Sequence, residues 1–299
     1  IPVEILGQVY EQFLGSVIRL TPGGQAKVEE KPEVRKAGGV YYTPRYITDY
    51  IVEQTVGRLL EGKTPKEAAL LKIIDPACGS GSFLLRAYER VMEHHLRWFM
   101  AHPDKRRKED CYVDAAGNVR LTTALKRRIL ENNIHGVDID AQAVEVTQLS
   151  LYLKMLEGEN RETLRNQTEL FKKEPLLPPL DKNIKCFNSL IASDFSLDPA
   201  ELVRVNAGDW DVQFPEIMKS GGFDAVIGNP PYVRQEQLAP IKPLQVKSGP
   251  VKSGRAKNVR ATIVAATTAV AMTVAVAATT ATTPRRPKSA SAPKACRRS

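Results

Sequence analysis

The string Asn229-Pro230-Pro231-Tyr232 is the most chemically specific feature of this sequence. Two consecutive prolines fix the backbone and remove two N–H donors, which leaves carbonyl oxygens free to accept hydrogen bonds. The side-chain oxygen of Asn229 and the carbonyl oxygen of Pro230 can both accept from one NH2 group. Tyr232 can stack on a planar ring, as aromatic side chains do on bases. A strand end needs neither the Asn nor the Tyr, so the string predicts a site that holds the amino group of a planar molecule.

A glycine-rich segment from Asp75 to Phe83 is the second candidate site. Gly79 and Gly81 permit positive φ or a close approach of backbone to a ligand. The helix that follows offers free N–H groups to an anion. A dinucleotide fingerprint would place its third glycine at Leu84, and the lysine of a P-loop is missing, so another kind of ligand turn is indicated. The residues that we expect at this ligand are Asp75, Pro76, Ala77, Gly79, Gly81 and Phe83.

An acidic residue ends the next apolar segment, Ile134-His-Gly-Val-Asp-Ile-Asp140. The carboxylate of Asp138 can accept hydrogen bonds from two ribose hydroxyls, as acidic residues do in dinucleotide-binding folds. Asp140 fits better as the N-cap of the following helix. His135 is interpreted as a packing residue.

These segments require strands and helices that alternate along the chain. Four apolar runs predict strands at 71–74, 134–138, 183–187 and 223–228. Helical spacing predicts helices at 3–18, from Thr43 to about Leu60, and at 83–96, 121–133 and 141–156, and a further short helix is expected to begin at Thr64-Pro65. Thr43 is the expected N-cap of the second helix, with Pro44 at its first position, and 21–39 is expected to be a loop. Alternation of this kind predicts a parallel sheet with helices on both faces.

Together these strings resemble the adenine-specific DNA methyltransferases. The segment Gly38-Gly-Val-Tyr-Tyr-Thr-Pro44 precedes the glycine-rich turn, as in that family, and the resemblance implies that Tyr42 and Thr43 contact the cofactor, Thr43 at its methionine end. The segment Asn183 to Ile191 resembles the family's segment whose acid or Asn lies near the cofactor's adenine, and this resemblance implicates Asn188. The continuation from Tyr232 to Glu236 also looks like the type IIG enzymes that fuse a methyltransferase to a restriction nuclease.

The resemblance implies a fold, a reaction and partners. The fold would be α/β, a Rossmann-like S-adenosylmethionine-dependent methyltransferase sheet that is incomplete in its C-terminal half. Asn229, Pro230, Pro231 and Tyr232 would hold the N6 amine of an adenine flipped out of double-stranded DNA beside the methyl sulfonium of S-adenosylmethionine. The enzyme would serve a restriction–modification system, with nuclease and target-recognition domains in the full-length parent.

Two alternatives to this function stay open. Protein-glutamine and RNA guanine-N2 methyltransferases carry the same Asn-Pro-Pro-Tyr string, although the upstream Tyr-Tyr-Thr-Pro segment favours DNA adenine. The chain would otherwise be an inactive, cofactor-binding fragment. The resemblance implies a seven-stranded sheet, of which the sequence predicts only four strands, and the fourth would be an open edge. We therefore expect the chain as written to be poorly active.

The charge divides the sequence into unlike parts. The net charge is +9, but 244–299 holds 11 Lys and Arg and no acid, which leaves 32 basic and 34 acidic residues in 1–243. The basic excess therefore says little about nucleic-acid binding by the core. We predict a helical connector and loop at 1–37, a methyltransferase domain at 38–243, and a low-complexity tail at 244–299 that is disordered or out of frame.

Cysteine usage and hydropathy bear on the compartment. Cys78, Cys111, Cys186 and Cys296 are widely spaced and form no CxxC pair, which indicates neither a metal site nor a disulfide framework and favours the cytoplasm. The uncharged stretch 261–283 is long enough to cross a bilayer. It consists almost wholly of Ala, Thr and Val without aromatic anchors, so we predict no membrane span.

Overall fold

The structure is a computed structural model. It describes residues 16–20, 25–30, 43–114, 116–159, 176–230 and 276–277. The predictions for Tyr42, Pro231, Tyr232 and nearly all of the 244–299 tail lie outside these ranges.

The described chain alternates between strands and helices. The strands, in chain order, are β1 (Ser16–Leu20), β2 (Ala26–Glu30), β3 (Ile73–Asp75), β4 (Cys111–Val113), β5 (Val119–Leu121), β6 (Ile134–Asp138), β7 (Ile184–Cys186), β8 (Ala225–Val226) and β9 (Val276–Ala277). The α-helices are α1 (Arg45–Val52), α2 (Arg58–Leu60), α3 (Pro65–Ala68), α4 (Ser82–Ala101), α5 (Thr123–Asn133), α6 (Ala141–Leu156), α7 (Pro199–Arg204), α8 (Trp210–Gln213) and α9 (Pro215–Lys219).

The central sheet has the strand order β7-β6-β3-β8-β9. The first four of these strands are parallel, and β9 pairs antiparallel with β8. The chain runs from β3 outward through β6 to β7 and then returns to place β8 on the other side of β3. Open α/β sheets bind ligands beyond the carboxyl ends of the strands at such a reversal. Asp75 ends β3 and Asn229 follows β8, so both lie at this place in the fold.

Both faces of the sheet are covered, as the sequence predicts. Ile73 and Ile134 belong to a large apolar core that includes residues of α4, α5 and α6. The neighbouring residues Ile74 and Val137 face the other way, because successive side chains of a strand alternate. They pack against an aromatic cluster formed by Phe187, Trp210, Phe214 and Phe223. The chain is thus an α/β structure with a parallel sheet between helices.

His135 packs in this aromatic cluster, as predicted. Its ring meets those of Phe214 and Phe223 edge-on, with centroids 5.9 Å and 5.5 Å away. Burial lowers the pKa of His135 to about 4. The imidazole is therefore neutral at neutral pH.

Helix starts follow the capping residues of the sequence. Thr64 and Thr122 each accept a hydrogen bond from the backbone N–H three residues on, at 3.4 Å from Glu67 and 3.1 Å from Leu125. The predicted cap at Asp140 is confirmed, because its carboxylate accepts from the N–H of Gln142 at 2.9 Å.

The expected N-cap at Thr43 is wrong. Pro44 is the N-cap of α1, with φ −54° and ψ 141°, and the helix begins at Arg45. The helix continues through a π-helical turn at Glu53–Gly57 into α2. The hydroxyl of Thr43 bonds elsewhere, as described below.

The N-terminal region and the sheet edge also differ from expectation. Residues 1–15 lie outside the described chain, but 16–18 belong to a strand rather than a helix, and β2 lies within the expected loop. The strands pair antiparallel, with Ile18 opposite Val28. Val17 and Ile18 are β-branched and Pro22-Gly23-Gly24 is a turn sequence, so a short apolar run that matched helical spacing was equally suited to a hairpin. The edge of β8, expected to be open, pairs with β9.

Two regions contain structure that the sequence did not indicate. The β4–β5 hairpin lies between α4 and α5, and the short helices α7, α8 and α9 lie between β7 and β8. Among the residues that the structure describes, no helix combines the length and the apolar character needed to span a bilayer.

Candidate active site

The glycine-rich turn joins β3 to α4 and is hydrogen-bonded to the next strand. Gly79 and Gly81 have φ of +53° and +88°, a region that side-chain-bearing residues rarely adopt. The N–H of Cys78 donates to the carbonyl of Val137 at 2.9 Å, and the N–H of Gly79 donates to Asp138 Oδ2 at 2.8 Å. Both predicted glycines thus adopt the conformation for which glycine is suited, and the turn is held against the end of β6.

Asp75 lies beneath this turn with 1% of its surface exposed. Its Oδ1 accepts a hydrogen bond from the N–H of Ala77 at 3.1 Å. Burial raises the pKa of Asp75 to about 7, and the nearby charge of Asp138 adds to the rise. Near neutral pH the carboxyl therefore exchanges readily between its protonated and ionised forms.

Asp138 connects the turn to the start of α6. Its Oδ2 accepts from Gly79 and its Oδ1 accepts from the N–H of Asp140 at 2.9 Å. Burial raises the pKa of this carboxyl as well. Each carboxylate oxygen has a second lone pair, so Asp138 can still accept hydrogen bonds from a ligand.

Gly228, the residue before Asn229, packs closely against the Asp75 carboxyl. A Cβ placed on Gly228, whose φ is +149°, would be 2.5 Å from Asp75 Oδ1. Only glycine permits the backbone to approach the carboxyl this closely. The half-buried Asn229 and the exposed Pro230 therefore follow a corner that rests on the carboxyl at the end of β3.

Thr43 joins this corner from the other end of the sequence. Asn229 Nδ2 donates to Thr43 Oγ1 at 3.1 Å, across 186 positions of the chain. The structure thus brings together two residues that the sequence assigned to different tasks, one to the cofactor and one to the substrate amine.

Ion pairs hold α1, and with it Thr43, against α4. Arg86 Nε lies 2.6 Å from Asp49 Oδ1, and the buried Arg90 binds both carboxylate oxygens of Glu53 at 2.6 Å and 3.2 Å. The hydrogen bond from Arg90 lowers the pKa of Glu53. The π-helical turn also contributes, because Gly57 leaves room for the Glu53 carboxylate where a Cβ would lie 2.8 Å from it.

The other predicted site residues lie at the same edge but have structural partners. Asn188 accepts from the N–H groups of Leu190 and Ile191 at 3.0 Å and 3.2 Å, and its Nδ2 donates to the carbonyl of Val205 at 3.1 Å. This side chain shapes the loop after β7. Phe83 is buried in the first turn of α4 within the large core.

Sequence reasoning missed Thr147 and Gly228. The hydroxyl of Thr147, on α6, donates to the carbonyl of Gly79 at 2.8 Å. Its side chain also lies 3.0 Å from where a Cβ of Gly81 would be. The signal for Thr147 was a polar residue on the apolar face of a helix, at a position that helical spacing predicts to be buried. The signal for Gly228 was a glycine directly before the Asn-Pro-Pro-Tyr string.

The geometry gives this edge of the sheet a defined chemical capability. The buried Asp75, the partly buried Asp138 and a turn with positive-φ glycines adjoin a corner whose carbonyl and amide oxygens can accept hydrogen bonds. Space is open beside Gly79, because among the described residues no atom lies within 4 Å of a Cβ built there. Such a site can hold a ligand with cationic and hydroxyl groups next to a second molecule that presents an NH2 group.

Comparisons with known proteins bear on this arrangement. The chain is 31% identical over 243 residues to the type II restriction enzyme and methyltransferase RM.Eco57I of Escherichia coli, an alignment that covers 81% of this chain and 22% of that protein. It is 26% identical over 203 residues to the adenine-specific methyltransferase PglX of Streptomyces coelicolor, covering 67% of this chain and 15% of that protein. The chain thus spans less than a quarter of the length of these relatives.

Solved structures give a weaker likeness. The nuclease-deletion mutant of the Type ISP restriction-modification enzyme LlaGI, solved with a DNA substrate mimic, is 18% identical with a TM-score of 0.38, covering 64% of this chain and 13% of that chain. A TM-score of 0.38 does not establish a shared fold.

The family description Eco57I restriction-modification methylase matches residues 132–259, a range that includes β6, β8 and the Asn229 corner. Residues 132–259 of this chain thus match the Eco57I restriction-modification methylase family.

Proposed function

We propose that this chain transfers a methyl group from S-adenosylmethionine to the N6 amine of adenine in DNA, as part of a restriction–modification system. The observation that carries the proposal is the contact between Gly228 and Asp75. It places the Asn229 corner directly against the end of the strand from which the glycine-rich turn begins. Direct transfer requires the methyl donor and the amine to be bound at adjacent sites.

The residues at the turn fit the proposed cofactor. S-adenosylmethionine carries a positive sulfonium, an ammonium, a carboxylate and two ribose hydroxyls. The carboxyls of the buried Asp75 and the partly buried Asp138 complement its cationic groups and hydroxyls, and the N-terminus of α4 complements the carboxylate. The open space beside Gly79 leaves room for it. When bound, this cofactor would supply an electrophilic methyl group. As the N–C bond forms and the S–C bond breaks, the thioether S-adenosylhomocysteine would leave and the amine nitrogen would lose one proton to solvent.

The corner residues act on the amine. Asn229 Oδ1 and the Pro230 carbonyl oxygen accept hydrogen bonds from the two N–H groups of this amine, which turns the nitrogen lone pair out of conjugation with the ring. An exocyclic amine is a weak nucleophile, so this positioning contributes more than a strong base would. Tyr232 stacks on the flipped adenine.

DNA adenine is proposed as the substrate because relatives of this chain are described by their names as adenine-specific methyltransferases and restriction enzymes. The nuclease and target-recognition functions of a restriction–modification enzyme would then belong to other parts of a longer parent protein.

The Asn229→Ala variant tests the assignment when cofactor binding and methyl transfer are measured separately. Binding of S-adenosylhomocysteine should change little, and transfer of labelled methyl to DNA should fall by about 100-fold or more, because a preorganised acceptor for the reacting group is lost. Asn132→Ala, on the exposed side of α5, is the matched control and should transfer like the wild type.

Offering DNA, RNA and protein in parallel identifies the substrate class. Labelling of DNA at adenine supports the proposal. Labelling of RNA or protein instead, or unchanged transfer by Asn229→Ala, overturns it.

A further inference from the structure

We infer that Thr43 is a positioning residue that sets the orientation of the Asn229 side-chain amide, and that it does so most strongly when the cofactor is bound. This inference rests on the proposed function, in which Asn229 Oδ1 accepts a hydrogen of the substrate amine. It gives Thr43 a role toward the substrate in addition to the cofactor contact that the sequence implies.

Three threonines precede helices in the described chain, and only two of them cap. Thr64 and Thr122 use their hydroxyls to accept from their own helices. Thr43 is followed by Pro44, which itself occupies the N-cap of α1. The Thr43 hydroxyl is thereby released from a local role, and it accepts from Asn229 Nδ2 instead.

The chemistry of a primary amide makes this hydrogen bond consequential. An asparagine amide has an oxygen at one end and an NH2 group at the other, with nearly the same shape when rotated by 180°. In one orientation Asn229 offers an acceptor to the substrate amine, and in the other it offers two hydrogens, which repel it. Holding Nδ2 at Thr43 selects the orientation that accepts.

The hydroxyl can enforce this choice only if its own hydrogen goes elsewhere. A threonine hydroxyl has a single hydrogen and two lone pairs. If that hydrogen were given to Asn229, the amide would turn its oxygen toward Thr43. An anionic acceptor, such as the carboxylate at the methionine end of the cofactor, would take the hydrogen and leave the hydroxyl able only to accept from Asn229.

Both partners are held in place by the fold, so the hydrogen bond does not depend on two mobile segments. The pairs Asp49–Arg86 and Glu53–Arg90 hold α1 and the π-helical turn that continues it against α4, and α1 begins two residues after Thr43. Gly228 rests on the Asp75 carboxyl just before Asn229. The separation of 3.1 Å is therefore set by the packing of α1 on α4 and of Gly228 on Asp75.

Nuclear magnetic resonance of the full chain with 15N-labelled asparagine tests the geometry without requiring catalysis. The side-chain NH2 signals of Asn229 are identified by their loss in Asn229→Asp. We expect them to shift in Thr43→Val, which keeps the shape but lacks the hydroxyl, and to stay near their wild-type position in Thr43→Ser. The matched control Thr64→Val removes a helix cap and should leave them unchanged.

Adding S-adenosylhomocysteine tests the dependence on cofactor. The Asn229 signals should shift on its addition in the wild type and in Thr43→Ser, and should shift less in Thr43→Val. The inference is overturned if S-adenosylhomocysteine shifts the Asn229 signals equally in the wild type and in Thr43→Val. It is also overturned if the Thr43→Val substitution itself does not move these signals.

A double-mutant cycle in methyl transfer, at saturating cofactor and DNA, separates positioning from binding. Thr43→Val should lower the transfer rate about tenfold, the size of one lost hydrogen bond, with recovery in Thr43→Ser. It should have no further effect in an Asn229→Ala background. An equal effect in that background, or a change confined to cofactor affinity, contradicts this inference alone, whereas full transfer by Asn229→Ala contradicts the proposed function.

Discussion

The glycine-rich turn and the Asn229 corner lie against each other but differ in how many contacts stabilise them. The turn is held by several hydrogen bonds, from Cys78 and Gly79 to β6 and from Thr147 to the Gly79 carbonyl. The described part of the corner has one side-chain hydrogen bond, to Thr43, and one close packing contact, between Gly228 and Asp75. The turn is preassembled, whereas the corner depends on what the rest of the fold brings to it.

This difference suggests a division of labour. A cofactor that binds before the substrate needs a site that already has its shape, and a rigid turn provides it. A corner with few fixed partners is more sensitive to single substitutions. We therefore expect changes at the corner to affect transfer and changes at the turn to affect cofactor affinity or folding.

Among substitutions at the glycines and at Asp75, Gly228→Ala should have the largest effect on methyl transfer, because it displaces the Asn229 corner. Its φ of +149° excludes most other residues, and the added Cβ would lie 2.5 Å from Asp75 Oδ1. Displacement of Asn229 should lower methyl transfer by about 100-fold, which corresponds to roughly 3 kcal/mol. Gly222→Ala also has a positive φ but meets no described atom within 4 Å, so it controls for backbone strain alone. Similar transfer rates in the two variants would contradict the importance of the Asp75 contact.

Asp75→Asn should change the pH dependence of folding. Between about pH 4 and 7 the unfolded carboxyl has lost its proton while the folded one, with its pKa near 7, keeps it. The folded state then binds more protons, so the contribution of Asp75 to the free energy of unfolding falls as pH rises through this window.

The asparagine variant lacks that titration. Relative to the wild type, its free energy of unfolding should rise by about 3 kcal/mol from pH 4 to pH 7, since one pKa unit corresponds to about 1.4 kcal/mol. His135, with its pKa lowered to about 4, contributes the opposite slope between about pH 4 and 6.5 in both proteins and cancels in the difference. Urea denaturation at several pH values measures this difference in the free energy of unfolding. If the free energies of the two proteins changed with pH in parallel, the raised pKa of Asp75 would be refuted.

Gly81→Ala and Gly79→Ala should separate the folding and binding roles of the turn. Both have positive φ, which costs about 1–2 kcal/mol for an alanine. The Gly81 variant also crowds Thr147 at 3.0 Å, so its unfolding free energy should fall by about 1 kcal/mol more. The Gly79 variant fills the open space beside the turn, so it should lose more affinity for S-adenosylhomocysteine. Thermal melting measures the stability of the two variants, and titration calorimetry measures their affinity for S-adenosylhomocysteine. If one variant had both the larger loss of stability and the larger loss of affinity, the separate roles of Gly79 and Gly81 would be contradicted.

Local patterns were enough to predict much of this molecule. The apolar runs that became β3, β6, β7 and β8, the Asp140 cap and the positive-φ glycines all depend on residues close together in the sequence. The β1–β2 hairpin was missed because a strand of five residues carries too few apolar positions to distinguish strand spacing from helical spacing. The helices α7, α8 and α9 were missed because segments of four to six residues carry too little periodicity to be recognised.

The sequence by itself determined which residue types are available: a glycine-rich turn, an acid at the end of the second parallel strand, and an Asn-Pro-Pro-Tyr string. Only the tertiary structure decided which of them meet. The Thr43 hydroxyl was free to cap a helix or to bind Asn229, and the choice depended on ion pairs between α1 and α4 and on Gly228 packing against Asp75. Contacts between residues 186 positions apart leave no periodicity or composition to detect, because they arise from the packing of whole elements rather than from local preference.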